Sequence, residues 1–231
     1  MANRLDGVKR IGVVELNRLP GGIARPLLDG LPGIELEDAT IMFRAVRHPA
    51  DGTEFALTRK AAALARTPLD ATLAAGDYAR SGALIAAIEG PARLAGAEEV
   101  IVELAPDLDD NATLRRIDGD LIPADRYAVR LSLAYKGHWV RIGFTHDKHT
   151  DGVALWLAEN PMTASGESAV DRIKIQHTLL EACVGSIPLS AVSELPEGAV
   201  GIANLTLVIE GDTHLVSIPV LKDAGVVSPL A

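Results

Sequence analysis

Aromatic residues make up only 3% of this 231-residue chain, so any core must be built from Ala, Val, Leu and Ile. A single cysteine, Cys183, rules out an internal disulfide, and its neighbours Leu179, Leu180, Ala182 and Val184 are apolar. That setting suits a buried structural thiol better than a nucleophile, which needs an electropositive, accessible environment. Basic residues are outnumbered, 22 Lys and Arg against 31 Asp and Glu, for a net charge of −9. An acidic surface without a basic stripe disfavours binding to nucleic-acid phosphates. No apolar run approaches the ~18 residues of a membrane helix. The first fifteen residues hold Arg4, Asp6, Lys9, Arg10 and Glu15, which excludes a secretory leader in that stretch. A cytoplasmic protein is expected. There is no internal repeat and no low-complexity tract.

What is present is a mixture of helical and strand patterns. Lys9 to Glu15 reads as a short strand. Leu19 to Gly33, punctuated by Pro20, Gly21, Gly22, Pro26, Pro32 and Gly33, reads as loop with at most one short helix. Residues 1–40 therefore form a short N-terminal appendage, and 41–231 the main domain. Gly52 to Leu73 places Phe55, Leu57, Ala61, Leu64 and Ala65 at helical spacing, with Asp51 as a cap after Pro49. A second helix is expected from Ser81 to Ala95, stopped by Gly96, and a third from Ser168 to Val184. Glu99 to Leu104 is β-branched and reads as a strand. Arg126 to Phe144 alternates through a tight turn at Tyr135-Lys136-Gly137, the signature of a hairpin. Val200 to Ile209 and His214 to Leu221 complete the strands. The order predicts an α+β fold with an antiparallel sheet and helices on one side.

Motifs with direct chemical meaning are sparse. His138, His146 and His149 lie close in sequence with Asp147, and a His-x-x-His pair can contribute to a zinc site, but further ligands are missing. Asp107, Asp109 and Asp110 lack the glycine and terminal glutamate of a calcium loop and read as a solvated acidic loop. Gly21-Gly22 lacks the spacing of a phosphate loop. No nucleophile turn accompanies any Ser, His and Asp set.

Three segments carry a resemblance. Phe43 to Pro49, with Glu54 and the Ala-rich stretch Lys60 to Ala65, is similar to the linker and first helix that open a catalytic domain. Asp125 to Thr145, with its Tyr-Lys-Gly turn, is similar to a central hairpin. Leu195 to Gly198 (LPEG), followed by NLTLVIEG and HLVSIPVLKDAG, is similar to a ligand-bearing loop and closing strands. Together they resemble the creatinase, aminopeptidase P and methionine aminopeptidase family, whose fold is called pita-bread. The resemblance implies a curved antiparallel sheet, a truncated and degenerate pita-bread domain over 41–231, and an appendage that is the remnant of a creatinase-type N-terminal domain.

The family holds two divalent metals with two Asp, one His and two Glu. The resemblance sets Arg130 and Arg141 at the Asp positions, Asn204 at the first Glu and Ser217 near the second, with no counterpart for the His. Hard dications need several converging anionic oxygens. Two guanidinium groups within ~5 Å would repel a dication by several kcal/mol even at an effective dielectric of about 20. No metal and no other cofactor is therefore expected. The metal-free creatinase chemistry finds no support either, since its glutamate position is Gly143 and its histidine loop falls near Asp109 to Leu114. No residue is assigned a catalytic role. Arg130, Arg141, His138 and Asn204 are the ligand-binding candidates, suited to a small anion such as a carboxylate or phosphate; the alternative is that the arginines pair with nearby acids. Family members commonly dimerise, which implies a homodimer or pairing with an active paralogue. The expected function is thus a non-catalytic accessory subunit. The alternatives are a metal-independent hydrolase or lyase acting on a small anionic substrate, and a peptide or small-ligand binding module.

Overall fold

The computed structural model describes residues 7–47, 51–75, 78–147, 173–182, 186–188, 197–209, 211–223 and 226–230. The chain opens with β1 (Arg10–Val13), a single 3-10 turn, α1 (Gly21–Asp29) and β2 (Glu35–Asp38), and β1 and β2 pair in parallel. α2 (Thr40–Arg47) follows directly. Its start is fixed by Asp38, whose Oδ1 accepts from the Thr40 N–H at 2.9 Å, and by Thr40, whose Oγ1 accepts from the Glu15 N–H at 2.6 Å. β2 and α2 exceed the strand and short helix read from the sequence. Glu35-Leu36-Glu37-Asp38 is too acidic to signal a strand and forms one by pairing with β1.

α3 (Gly52–Ala75) is capped by Asp51, whose Oδ1 accepts from the N–H groups of Thr53 and Glu54, both at 2.8 Å. α4 (Ser81–Leu94) ends where Gly96 turns to φ +101° and the Ala97 N–H reaches back to the Ala92 carbonyl. Ala61, Ala62 and Ala65 of α3 are buried, and such small side chains bring the helix close to the sheet beneath it.

The main sheet contains β3 (Glu99–Ala105), β4 (Arg126–Tyr135), β5 (His138–Asp147), β6 (Ile173–Ala182), β7 (Ser186–Pro188), β8 (Val200–Ile209), β9 (Asp212–Asp223) and β10 (Val226–Pro229). Its order is β3-β4-β5-β9-β8-β6-β7, with β10 on β9, and every pair is antiparallel. The β4–β5 turn has Lys136 at φ 49° and Gly137 at φ 78°, as the sequence reading expects of a two-residue hairpin. Val129, Leu131 and Leu133 of β4, Val140 and Ile142 of β5, and Val100 and Val102 of β3 join Leu64, Leu69, Leu84 and Ile88 in one core. The alternate residues of those strands thus face the helices, and the intervening ones face the opposite side.

The expected helix from Ser168 to Val184 is a correction: Ile173–Ala182 is β6, paired with β8 on one edge and β7 on the other. A register shift between Ile175 and His177 breaks the alternation in two, which hides the strand from a period-2 reading. Residues 168–172 and 183–184, with Cys183, lie outside the described residues.

Candidate functional site

On the face away from the helices, the register of the sheet sets one row across five strands. Glu103 of β3 pairs with Arg130 of β4, Arg130 with Gly143 of β5, Gly143 with Ser217 of β9, and Ser217 with Asn204 of β8. Residues directly opposite in register project to the same face. Arg130 donates from Nε to Glu103 Oε2 at 2.8 Å, and its Nη2 lies 2.8 Å from the same oxygen. Ser217 is buried and donates its hydroxyl to Asn204 Oδ1 at 2.8 Å. A cavity of about 230 Å³ lies over this row, its polar wall made by Arg130, Asn204, Thr206 and Ser217 and its apolar wall by Ala112, Leu114 and Leu215.

Ala112 and Leu114 of the apolar wall come from the segment between β3 and β4, which folds back over this face, and Leu215 comes from β9. Leu104 and Arg115 exchange backbone hydrogen bonds, and the Leu108 N–H donates to the Arg126 carbonyl at 3.2 Å. Leu108 is buried with Ala105 and Ala128, and Leu114 and Leu215 pack against them. The acidic run Asp107 to Asp110 is tied up here: Asp107 Oδ1 accepts from the N–H groups of Asp109 and Asp110, and Asp109 pairs with Arg126.

Arg126 is the hub of a second cluster at the end of β4. Besides Asp109 it contacts Asp147 and Asp212, each at 3.3 Å, and donates from Nη2 to the Thr213 carbonyl at 2.9 Å. Beside it lies His214, 1% exposed, with neither ring nitrogen hydrogen-bonded. Burial holds this imidazole below its ordinary value of 6.5, and the Arg126 charge pushes the same way against the weaker pull of Asp147 and Asp212.

Arg141 shares the face of Arg130, because it pairs with Ser132, two residues along β4. Its Nε donates to Ser132 Oγ at 3.2 Å, and it is not part of the cavity wall. His138 sits at the hairpin end opposite Tyr135, away from the cavity. His146 stacks on Tyr127 with ring centroids 4.7 Å apart, and His149 lies outside the described residues. Of the four ligand-binding candidates, then, Arg130 and Asn204 meet at one cavity, and Arg141 and His138 do not. Sequence reasoning missed Glu103, the partner of Arg130, and Thr206 of the cavity wall, as well as Arg126 and His214 of the neighbouring cluster. Among the described residues no group of three or more His, Cys, Asp or Glu is placed to hold a metal ion.

No family model matches the chain, and no curated protein matches its sequence. Solved structures do. The X-Pro aminopeptidase from Thermotoga maritima MSB8 superposes with a TM-score of 0.68 at 15% identity, over 100% of this chain and 74% of that one. The prolidase from Pyrococcus horikoshii OT3 gives 0.65 at 16% identity, over 99% and 75%. The dipeptidase PepE from Mycobacterium ulcerans gives 0.61 at 17% identity, over 99% and 71%. The chain has the pita-bread fold. The expected α+β class with helices on one side of an antiparallel sheet holds. No helix among the described residues is long and apolar enough to cross a membrane.

Within the pita-bread sheet, the row just described runs through three of the four positions that the sequence resemblance sets against metal-binding carboxylates, Arg130, Asn204 and Ser217, while Arg141 lies two residues along β5 from Gly143. Gly198 of the LPEG loop, at φ +80°, leads into β8 and donates its N–H to the Lys222 carbonyl at 2.9 Å, while Leu195 and Pro196 lie outside the described residues.

Proposed function

We propose that this chain is a pita-bread protein that neither holds a dinuclear metal centre nor hydrolyses peptides, and that it serves as a non-catalytic subunit paired with a relative of the same fold. One observation carries the reading: the polar groups that meet at the cavity are a guanidinium paired with a carboxylate and neutral side chains bonded to each other, not carboxylates converging on a cation. Arg130 is bound to Glu103, and Asn204 accepts from Ser217. A dication placed there would face a fixed guanidinium and neutral oxygens, the wrong donor set for a hard metal. Glu103 does not repair this, because its carboxylate is already engaged by the arginine.

The pairing is supported by α2, where Ile41, Met42 and Val46 are 77%, 67% and 81% exposed on one short helix. Apolar side chains grouped this way on a surface mark a contact more often than free solvent exposure. On this reading residues 1–40 form an N-terminal appendage that contributes to that contact. A second reading keeps the cleft as a site for a small anion, and the cavity beside Arg130 favours it.

The test combines metal analysis, an Xaa-Pro dipeptide assay with added Mn²⁺, and purification of the tagged chain from its host. The expected result is substoichiometric metal, no turnover, and co-purification of a relative that keeps two Asp, one His and two Glu. Two tightly bound metals per chain or dipeptide turnover would sink the non-catalytic reading. Recovery as a lone monomer would sink the pairing.

A further inference from the structure

We infer that the cavity over the Glu103–Arg130–Ser217–Asn204 row binds a small monocarboxylate carrying a short aliphatic chain. This rests on the non-catalytic reading above and deepens it by naming the class of ligand.

Because Ser217 donates to Asn204 Oδ1, one acceptor site of that oxygen is used, and both Nδ2 hydrogens remain to be offered. Both contacts of Arg130 to Glu103 run through Nε and Nη2, and Nη1 takes part in neither. Thr206, two residues along β8 from Asn204 and on the same face, adds a hydroxyl. The N–H groups of Arg130 and Asn204 in this wall can only donate, beside the hydroxyl oxygens of Ser217 and Thr206, and the group that answers those N–H groups is one that accepts. An ionised carboxylate accepts at two oxygens and donates nothing.

Charge narrows the choice further. Glu103 neutralises Arg130 to first order, with both side chains 21% exposed. The next cation on this face, Arg141, is bonded to Ser132 and stands off the wall. A dianion such as phosphate would gain little from such a neutral pair and would be repelled by Glu103, whereas a monoanion needs only hydrogen bonds and one shared guanidinium. Size and lining fix the remainder. At about 230 Å³ the space is below the usual range of about 300–1,000 Å³ for drug-sized ligands. Leu215, beside Thr206 on the sheet, and Ala112 and Leu114 from the segment before β4 add an apolar lining, which suits a branched or straight chain of a few carbons.

Isothermal titration of the full chain, treated with chelator, uses isovalerate, its neutral isostere isovaleramide, and inorganic phosphate as probes. Saturable isovalerate binding is expected, with the amide and phosphate each weaker by at least about tenfold. Arg130→Met should lower isovalerate affinity by at least about tenfold. Glu103→Gln should improve phosphate binding relative to isovalerate. Leu114→Phe, which fills the apolar wall without touching the donors, should abolish isovalerate binding but spare acetate, so the inference does not depend on Arg130→Met folding well. Equal binding of acid and amide, or no saturation of isovalerate on the order of tens of millimolar, would overturn it. Dipeptide turnover with Mn²⁺ is measured on the same preparation: turnover sinks the non-catalytic reading, while its absence together with failed isovalerate binding sinks only this inference.

Discussion

Gly143 sits in the middle of the row, and its lack of a side chain is a packing requirement. A Cβ added there would lie 2.7 Å from the Val129 carbonyl oxygen and 3.0 Å from Arg130 Cα, both of them backbone atoms that cannot swing aside. Gly143→Ala should therefore lower stability by about 1–3 kcal/mol, read as a fall in the urea midpoint with unchanged m-value. Gly143→Glu should cost more, so a carboxylate cannot simply be restored at this point of the sheet. Two residues on, Thr145 does a different job. Its Oγ1 accepts from the Leu215 N–H at 2.9 Å and lies 3.4 Å from the Leu215 carbonyl oxygen. Thr145→Val keeps the shape and removes the hydroxyl, leaving a strand N–H without its partner. The expected loss is about 1–3 kcal/mol by the same measurement, and no loss would mean that the two strands are joined by other contacts.

At the scale of elements, the β4–β5 hairpin depends on conformation where Gly143 depends on space. Gly137 has φ +78° and nothing within 4 Å of an added Cβ, so substitutions there act through backbone strain alone. Gly137→Asn should destabilise less than Gly137→Ala, because Asn tolerates the left-handed region better, and Ala should cost about 1–2 kcal/mol. If both cost the same, the turn is not held in that conformation in solution. This turn, α3 and α4 were legible in the sequence because each signal is local: Asp51 two residues before Thr53, Gly96 just past the last turn, Lys136-Gly137 between alternating runs. The site was legible only by halves. Arg130 and Asn204 stand out as unusual residues at their positions, but Glu103 becomes the counter-ion of Arg130 through a strand register 27 residues apart. Asn204 and Ser217 likewise meet through the β8–β9 register. β6 was misread because a register shift within the strand erases its alternation, and paired neighbours on both edges override the helical look of its second half. Arg126 and His214 carry no motif at all; they matter because three elements bring charges to one buried corner.

That corner lies on the seam of the whole molecule. β3, β4 and β5 carry α3 and α4, while β9, β8, β6 and β7 form the other part of the sheet, and β5 meets β9 at Gly143 and Ser217. Arg126, from the first part, bonds the Thr213 carbonyl and Asp212 of the second. His214, packed at this joint with both nitrogens unpartnered, is held neutral because burial and the Arg126 charge lower its affinity for a proton. The unfolded chain protonates His214 near its ordinary value of 6.5, and the folded chain only at lower pH. Between those points the unfolded state binds more protons, so stability is complete above about 6.5 and falls as the pH drops toward the folded value. The group can contribute a slope of at most about 1.4 kcal/mol per pH unit. Replacing the ring by an apolar side chain closer to it in volume removes both the titration and the two orphaned nitrogens with a smaller packing change than a phenyl ring would bring. His214→Leu should then lose less stability than the wild type between pH 7.5 and 5.5 in urea titrations at fixed ionic strength. Parallel loss in both proteins would show that the carboxylates around Arg126, and not the histidine, set the acid sensitivity of the seam.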